Sequence, residues 1–306
     1  HKLMLKFYMA FSIMLSTFAF QDISAQSAFV QTSNESQATL KRKVAIARFS
    51  NETQSGTSFL VDDSGDRLGK QASDILSSKL AATGKFMMFE RSDKDEIDSE
   101  QILAGLKKAG VAVDYLIIGS VSEFGRSVDS QSQIFKRTKT QRAYAKVNVR
   151  LVDVETGRII FSEEGAGESV NATESKVLTK TNAGFDQSLT DKAISAAISS
   201  LVSSLVENMT NKPWKSYLLS EEDGSYIIAG GSRQGIALGS ILNVYKKGKI
   251  ILNPQTGATL ELPGKKIGAI RVDGSFGEDD FSEVSFTTLI EGSITEELQN
   301  YYISNT

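Results

Sequence analysis

The sequence predicts an α+β protein in which helices lie on a mixed β-sheet, with a smaller all-β part following it. Three observations carry that expectation. Residues 43–92 pass from extended to helical and back to extended periodicity. A continuous apolar run at 113–121 is what a strand covered on both faces requires. Beyond Pro213 and Trp214, glycines crowd between short alternating runs.

Taken in order, the chain opens on a targeting segment over residues 1–25. Lys2 and Lys6 make a basic start, and an apolar run at 7–20 holds Met9, Phe11, Ile13, Met14, Leu15 and Phe18. Ser24 and Ala25 then offer small residues for cleavage. The run is too short to span a bilayer. Residues 26–42 are a polar linker.

Val44, Ile46 and Phe49 mark the first strand, which ends at Asn51 and Glu52. A Gly- and Asp-rich loop leads to Leu68, Ala72, Ile75, Leu76 and Leu80, which recur at helical spacing, and Gly84 stands where a C′ glycine belongs. Residues 86–89 are a second strand. A second helix is expected over 93–108 through Ile97, Ile102, Leu103 and Leu106, and a strand over 113–121. Two more strands, 147–154 and 158–161, flank a turn at Glu155, Thr156 and Gly157. A third helix over 190–208 carries Ile194, Ile198, Leu201 and Leu205 on one stripe. Serines 195, 199, 200, 203 and 204 fill the rest, so this helix packs on a sheet rather than crossing a membrane. The α+β domain is thus placed at 43–210.

The all-β domain is placed at 213–292, with strands expected at 226–228, 241–245, 250–252, 267–272 and 284–286 and a frayed tail over 293–306.

Composition narrows the function. Two domains fit 306 residues, and 40 % hydrophobic with 23 % charged residues is ordinary for a globular chain. A net charge of −3 argues against nucleic acid, whose phosphates need a basic face. Without cysteine there is no disulfide, thiol catalysis or thiolate metal site. The single histidine is His1, so neither a Ser-His-Asp triad nor a histidine metal cluster can form. Asp62, Asp63, Ser64, Gly65 and Asp66 form the best acidic cluster, but they lack the glutamate and glycine positions of a calcium loop and read as a solvated loop. Residues 230–235 (GGSRQG) suggest a phosphate cradle, yet they lack Gly-Lys-Ser/Thr and precede a strand, so they read as a turn. No enzyme, metal or cofactor is expected.

Several separated blocks resemble one family. "KVAIARFSNET", "GKQASDILSSKLAATGKFMMFERSD", "DYLIIGSVSEFG" and "VNVRLVDVETGRIIFSEEGAGE", spread over 43–208, are similar in kind and order to the curli-secretion channel (CsgG-like) family of the outer membrane. "GSRQGIALGSILNVYKKGKIILNPQTGATL" resembles the C-terminal barrel of the periplasmic flagellar T-ring protein, which implies an SH3-like barrel. The first resemblance implies a homo-oligomeric ring at the cell envelope, associated with the outer membrane, that secretes or assembles a fibre-type protein such as curli. Relatives of this kind often carry a lipid on a cysteine that this sequence does not contain. In the family, the loop corresponding to 51–70 forms the pore constriction. Its aromatic corresponds to Phe59, and a second apolar position falls near Asp63 or Ser64, which are polar here. Phe59 equally fits a loop plug folded back on the core. The family's two membrane hairpins correspond to 123–146 and 161–180. Arg126, Lys136, Arg142 and Lys146 fall at even positions of the first, and Asp129, Arg137 and Lys139 at odd ones. In the second, Glu164, Glu168, Glu174 and Lys176 share one parity, with Gly, Ser, Asn and Thr at the other. A lysine or arginine at the bilayer midplane costs about 2–4 kcal/mol, so neither hairpin suits lipid. The alternative expectation is a periplasmic scaffold or regulator, akin to the T-ring or to penicillin-binding-protein activators, that binds proteins without forming a pore.

Overall fold

A computed structural model describes residues 40–53, 64–90, 113–155, 157–176, 184–280 and 282–306. The first part runs β1 (Arg42–Asn51), α1 (Ser64–Ala82), β2 (Phe86–Glu90), β3 (Tyr115–Ser132), β4 (Lys136–Asp153), β5 (Arg158–Lys176) and α2 (Ser188–Thr210). The five strands form one sheet in the order β2-β1-β3-β4-β5. β1 runs parallel to both neighbours, while β3, β4 and β5 are an antiparallel meander, so the sheet is mixed. The helix expected over 93–108 lies outside the described residues.

Both helices form where the apolar spacing places them. Ala72, Leu76 and Leu80 of α1 are fully buried, and Gly84 follows the helix at φ +71°, a conformation with little steric cost only for glycine. α2 is long and apolar enough to cross a membrane. Instead its stripe of Ile194, Ile198, Leu201 and Leu205 is buried in one core with Ala143, Ala145, Val147, Val149 and Leu151 of β4. Burying each of these large side chains stabilises by about 1.5–3 kcal/mol. Two glycines bring helix and sheet together: a Cβ on Gly165 would meet the Ala197 carbonyl oxygen at 2.3 Å, and one on Gly167 the Ala193 carbonyl oxygen at 2.3 Å.

Three expectations need correction. β3 and β4 are 18 residues each and β5 is 19, far longer than the apolar runs that marked them. Residues 161–176, expected as part of a hairpin, belong to one uninterrupted strand paired with β4. Residues 301–304, expected to fray, are a strand inside the second sheet, where Tyr301 and Ile303 are buried.

That second sheet comprises β6 (Lys215–Ser216), β7 (Leu218–Glu222), β8 (Ser225–Ala229), β9 (Ile241–Lys246), β12 (Lys265–Phe276), β13 (Val284–Gly292) and β14 (Tyr301–Ser304), while β10 (Ile250–Leu252) and β11 (Thr259–Glu261) pair as a separate ribbon. Its order is β6-β14-β9-β12-β13-β8-β7, antiparallel throughout. β6 and β7 are consecutive pieces of one stretch, interrupted at Tyr217, whose carbonyl accepts the Ala229 N–H at 3.1 Å. The two ends of the sheet therefore meet in one stretch of chain, and the sheet curls into a near-barrel around Trp214, Ile228, Val244, Ile270 and Ile303. Asp223 and Gly224, both at positive φ, make the tight β7–β8 turn, as an Asp-Gly pair does in a two-residue hairpin.

The two sheets are joined at β1. Lys41 and Gln234 exchange backbone and side-chain hydrogen bonds of 2.8 Å, and the Arg42 guanidinium donates to the Lys212 carbonyl at 2.8 Å. Lys212 pairs with Asp153, and Lys215 lies 3.7 Å from Glu155.

Candidate functional site

The largest projecting feature is the β3–β5 meander. Eighteen residues at about 3.3 Å each make a strand of roughly 60 Å. Only the half near β1 lies under α2. Gln141 marks the limit: its side chain donates to the Gly184 carbonyl at 3.3 Å and accepts the Asp186 N–H at 2.6 Å, closing the helix side.

Pairing decides which side chains share a face. A bulge between Val121 and Glu123 shifts the register, so Arg126 stands opposite Ala143 and Asp129 opposite Thr140. Arg126 therefore lies on the helix side with Arg137 and Lys139, and Asp129 on the outer side with Lys136, Arg142 and Lys146. Their positions are exchanged relative to the simple even–odd reading. No residue pattern marks the bulge, so the sequence had no signal for it. Arg126 donates to Gln187 Oε1 at 3.1 Å and Thr190 Oγ1 at 3.2 Å, and its guanidinium lies 4.8 Å from the centre of the Phe185 ring. It ties the meander to the start of α2.

The outer face carries a ladder of ion pairs. Lys146 lies 3.3 Å from Glu123 and 3.9 Å from Glu164, Arg142 3.1 Å from Glu168, and Lys136 3.3 Å from Glu174. All seven side chains are substantially exposed, so each pair is worth about 0–1 kcal/mol. Past Gln141 the helix side is polar as well, with Lys139, Arg137, Thr173 and Ser175. The meander ends in a turn closed by the Gln133 N–H on the Lys136 carbonyl at 2.7 Å, and Ile134 and Phe135 at that turn are 85 % and 82 % exposed.

The glycine loop at 230–235 contains its own anion. The Glu283 carboxylate accepts from the Ser232 hydroxyl at 2.9 Å and from the Arg233 N–H at 3.1 Å, while a Cβ on Gly231 would strike that carboxylate. The loop is thus a turn that binds a buried glutamate. Its phosphate-like look came from donors that Glu283 already uses.

At the junction of the sheets, a cleft of about 270 Å³ is lined by Asp114, Tyr115, Trp214 and Tyr217, among others. Asp114 accepts the Lys43 N–H on its carboxylate at 2.8 Å and donates its own N–H to the Lys43 carbonyl at 2.8 Å. Burial raises the Asp114 pKa above the usual carboxylate range and pushes those of Tyr115 and Tyr217 up to about 12. A second, open groove lies between α1 and α2, lined by Arg67, Lys70, Asp74, Ile75, Asp191 and Lys192.

Of the residues singled out for the constriction loop, Phe59 and Asp63 lie outside the described residues, and Ser64 is the first residue of α1. Among the described residues no cluster of three or more His, Asp or Glu could hold a metal.

Helices on a mixed sheet and a meander prolonged far beyond them define an α+β protein. The family model of the curli production assembly/transport component CsgG matches residues 25–238, and the chain belongs to that family. It is 31 % identical over 179 residues to a lipoprotein candidate of Neisseria meningitidis serogroup B, covering 58 % of this chain and 80 % of that protein. Among solved structures, the PelC dodecamer from Paraburkholderia phytofirmans is 17 % identical, over 54 % of this chain and 89 % of that one, with a TM-score of 0.26. Lipoprotein GNA1162 from Neisseria meningitidis is 16 % identical, over 56 % and 99 %, with a TM-score of 0.23. At such scores neither carries an argument about this chain.

Proposed function

We propose that this chain is a non-enzymatic subunit of a secretion or assembly apparatus of the cell envelope, associated with the outer membrane, that self-associates into a ring. Family membership is the observation that carries this reading. The relative named as a lipoprotein candidate supports the envelope location. The mixed-charge groove between α1 and α2 offers a surface on which a second copy could seat. The family's description, an assembly/transport component of curli production, supports a secreted fibre-type protein as the cargo.

A second reading is a periplasmic scaffold or regulator that binds proteins without a pore. The ion-paired outer face of the meander favours it, because strands that cross lipid present an apolar face about ten residues long. The likeness of the C-terminal sequence to the T-ring's SH3-like barrel points the same way. The first reading needs a ring that encloses a conducting path, with Phe59, Asp63 and Ser64 as its candidate constriction; the second needs only a protein-binding surface.

Native mass spectrometry of detergent-extracted protein tests the ring of the first reading. A closed multiple of the protomer mass is expected, and a monomer at all concentrations would overturn it.

A further inference from the structure

The two most exposed large apolar side chains among the described residues, Ile134 and Phe135, sit together at the far end of the longest hairpin. Behind them the same turn carries Lys136, Arg137 and Lys139, and Lys176 stands directly across from Lys136. Asp129 and Glu174 are the nearby acids, so cations outnumber acids by four to two around the tip. Exposing Ile and Phe side by side to water is unfavourable, and no other described segment covers them.

We infer that this tip seats on an anionic lipid surface, with Ile134 and Phe135 entering the headgroup boundary while the strands behind remain in water. Each part of the arrangement has a place there. Apolar side chains bury shallowly at the boundary, long cationic side chains keep their charges at phosphate level, and anionic lipid attracts them. The ion-paired ladder from Lys136 back to Glu123 limits the depth, since its charges belong neither in hydrocarbon nor against it. An apolar pocket on a protein would receive the Ile-Phe pair but gives no role to the cationic collar. The contact therefore differs from a strand that spans the bilayer: two side chains touch lipid, and the stalk does not. The inference rests on the envelope reading above.

The chain's lack of cysteine makes the test local. Gln133→Cys places one polarity-sensitive dye beside the tip and Ala172→Cys places one on the stalk, both at exposed positions. With vesicles of phosphatidylcholine and phosphatidylglycerol, the dye at 133 should shift to the blue and the dye at 172 should not. Pure phosphatidylcholine should give a weaker shift, and added salt should reduce it. Ile134→Ser with Phe135→Ser should abolish the shift and weaken tip-dependent binding by about tenfold or more. These residues are exposed, so the fold should survive, as circular dichroism would verify. A shift at 133 that survives the double substitution, an equal shift at 172, or no shift on either vesicle would overturn the proposal. So would a shift at 133 that needs only the assembled protein and no lipid, which would place the tip on a neighbouring copy. A normal ring without a vesicle shift would sink this inference alone, whereas a vesicle shift from a strict monomer would sink the ring instead.

Discussion

The near half of the meander (residues 115–125, 143–153 and 158–167) mixes buried and exposed residues beneath α2; the far half (126–132, 136–142 and 168–176) is largely exposed on both faces. Backbone pairing runs through both halves, apart from the bulge near Val121 and a second irregularity between Leu151 and Val152. What differs is the apolar burial. The near half combines its ladder with Val147, Val149, Leu151 and the α2 stripe, while the far half has cross-strand pairs, each contributing about 0.2–1 kcal/mol. Hydrogen bonding can thus shape a strand well past the core that stabilises it, and the far half is the part free to meet something else. It should also open locally at lower free energy than the near half.

The sharpest way to break this comparison is to damage the near half. Leu201→Ala, at a site 2 % exposed, should destabilise the fold by about 2–5 kcal/mol in a urea titration. Gly167→Ala should lose about 1–3 kcal/mol, because the added methyl meets the Ala193 carbonyl oxygen and the Ala197 nitrogen, both at 2.3 Å.

The base of the near half should respond to acid. Asp114 has its folded pKa raised by burial, so the folded state holds that proton to a higher pH than the unfolded chain does. Its contribution to stability is fully present below the unfolded carboxyl pKa and is lost as pH rises through the folded one. Asp114→Asn, which keeps an oxygen to accept the Lys43 N–H, should flatten that decline, seen as urea midpoints compared from about pH 4 to pH 7. A steeper decline would mean that Asp114 is held charged.

In the far half, Arg142→Ala should change stability by less than about 1 kcal/mol, and less still at high salt, because the pair with Glu168 is exposed. A loss comparable to that of Leu201→Ala would erase the distinction between the halves. Smallest of all, Ser200→Ala, off the α2 stripe, should stay within about ±0.5 kcal/mol.

The near half was legible in the residue pattern, whereas the far hairpin over 123–146 was foreseen only through the family resemblance, for a physical reason. Ile194, Ile198, Leu201 and Leu205 announce a helix because a core selects apolar residues at its spacing. Residues 126–142 and 168–176 bury little, so their extended pairing left only polar residues to read. The exchanged faces of Arg126 and Asp129 depend on one bulge. The glycine loop's answer, Glu283, lies some fifty residues along the chain, and the near-barrel brings Tyr301 and Ile303 back into the sheet through pairing no local pattern foretells. Of the candidate pore residues, only Ser64 received a place, at the start of α1, and it came from a resemblance rather than from a physical signal of its own.

Conductance across planar bilayers tests most directly whether this family member works with its strands in water. Protein extracted at ring mass, and its Phe59→Ala variant, should give no stable conductance, because charges on both faces of the meander keep it out of lipid. A stable, ring-derived conductance that Phe59→Ala enlarges would contradict this and return the chain to the channel reading.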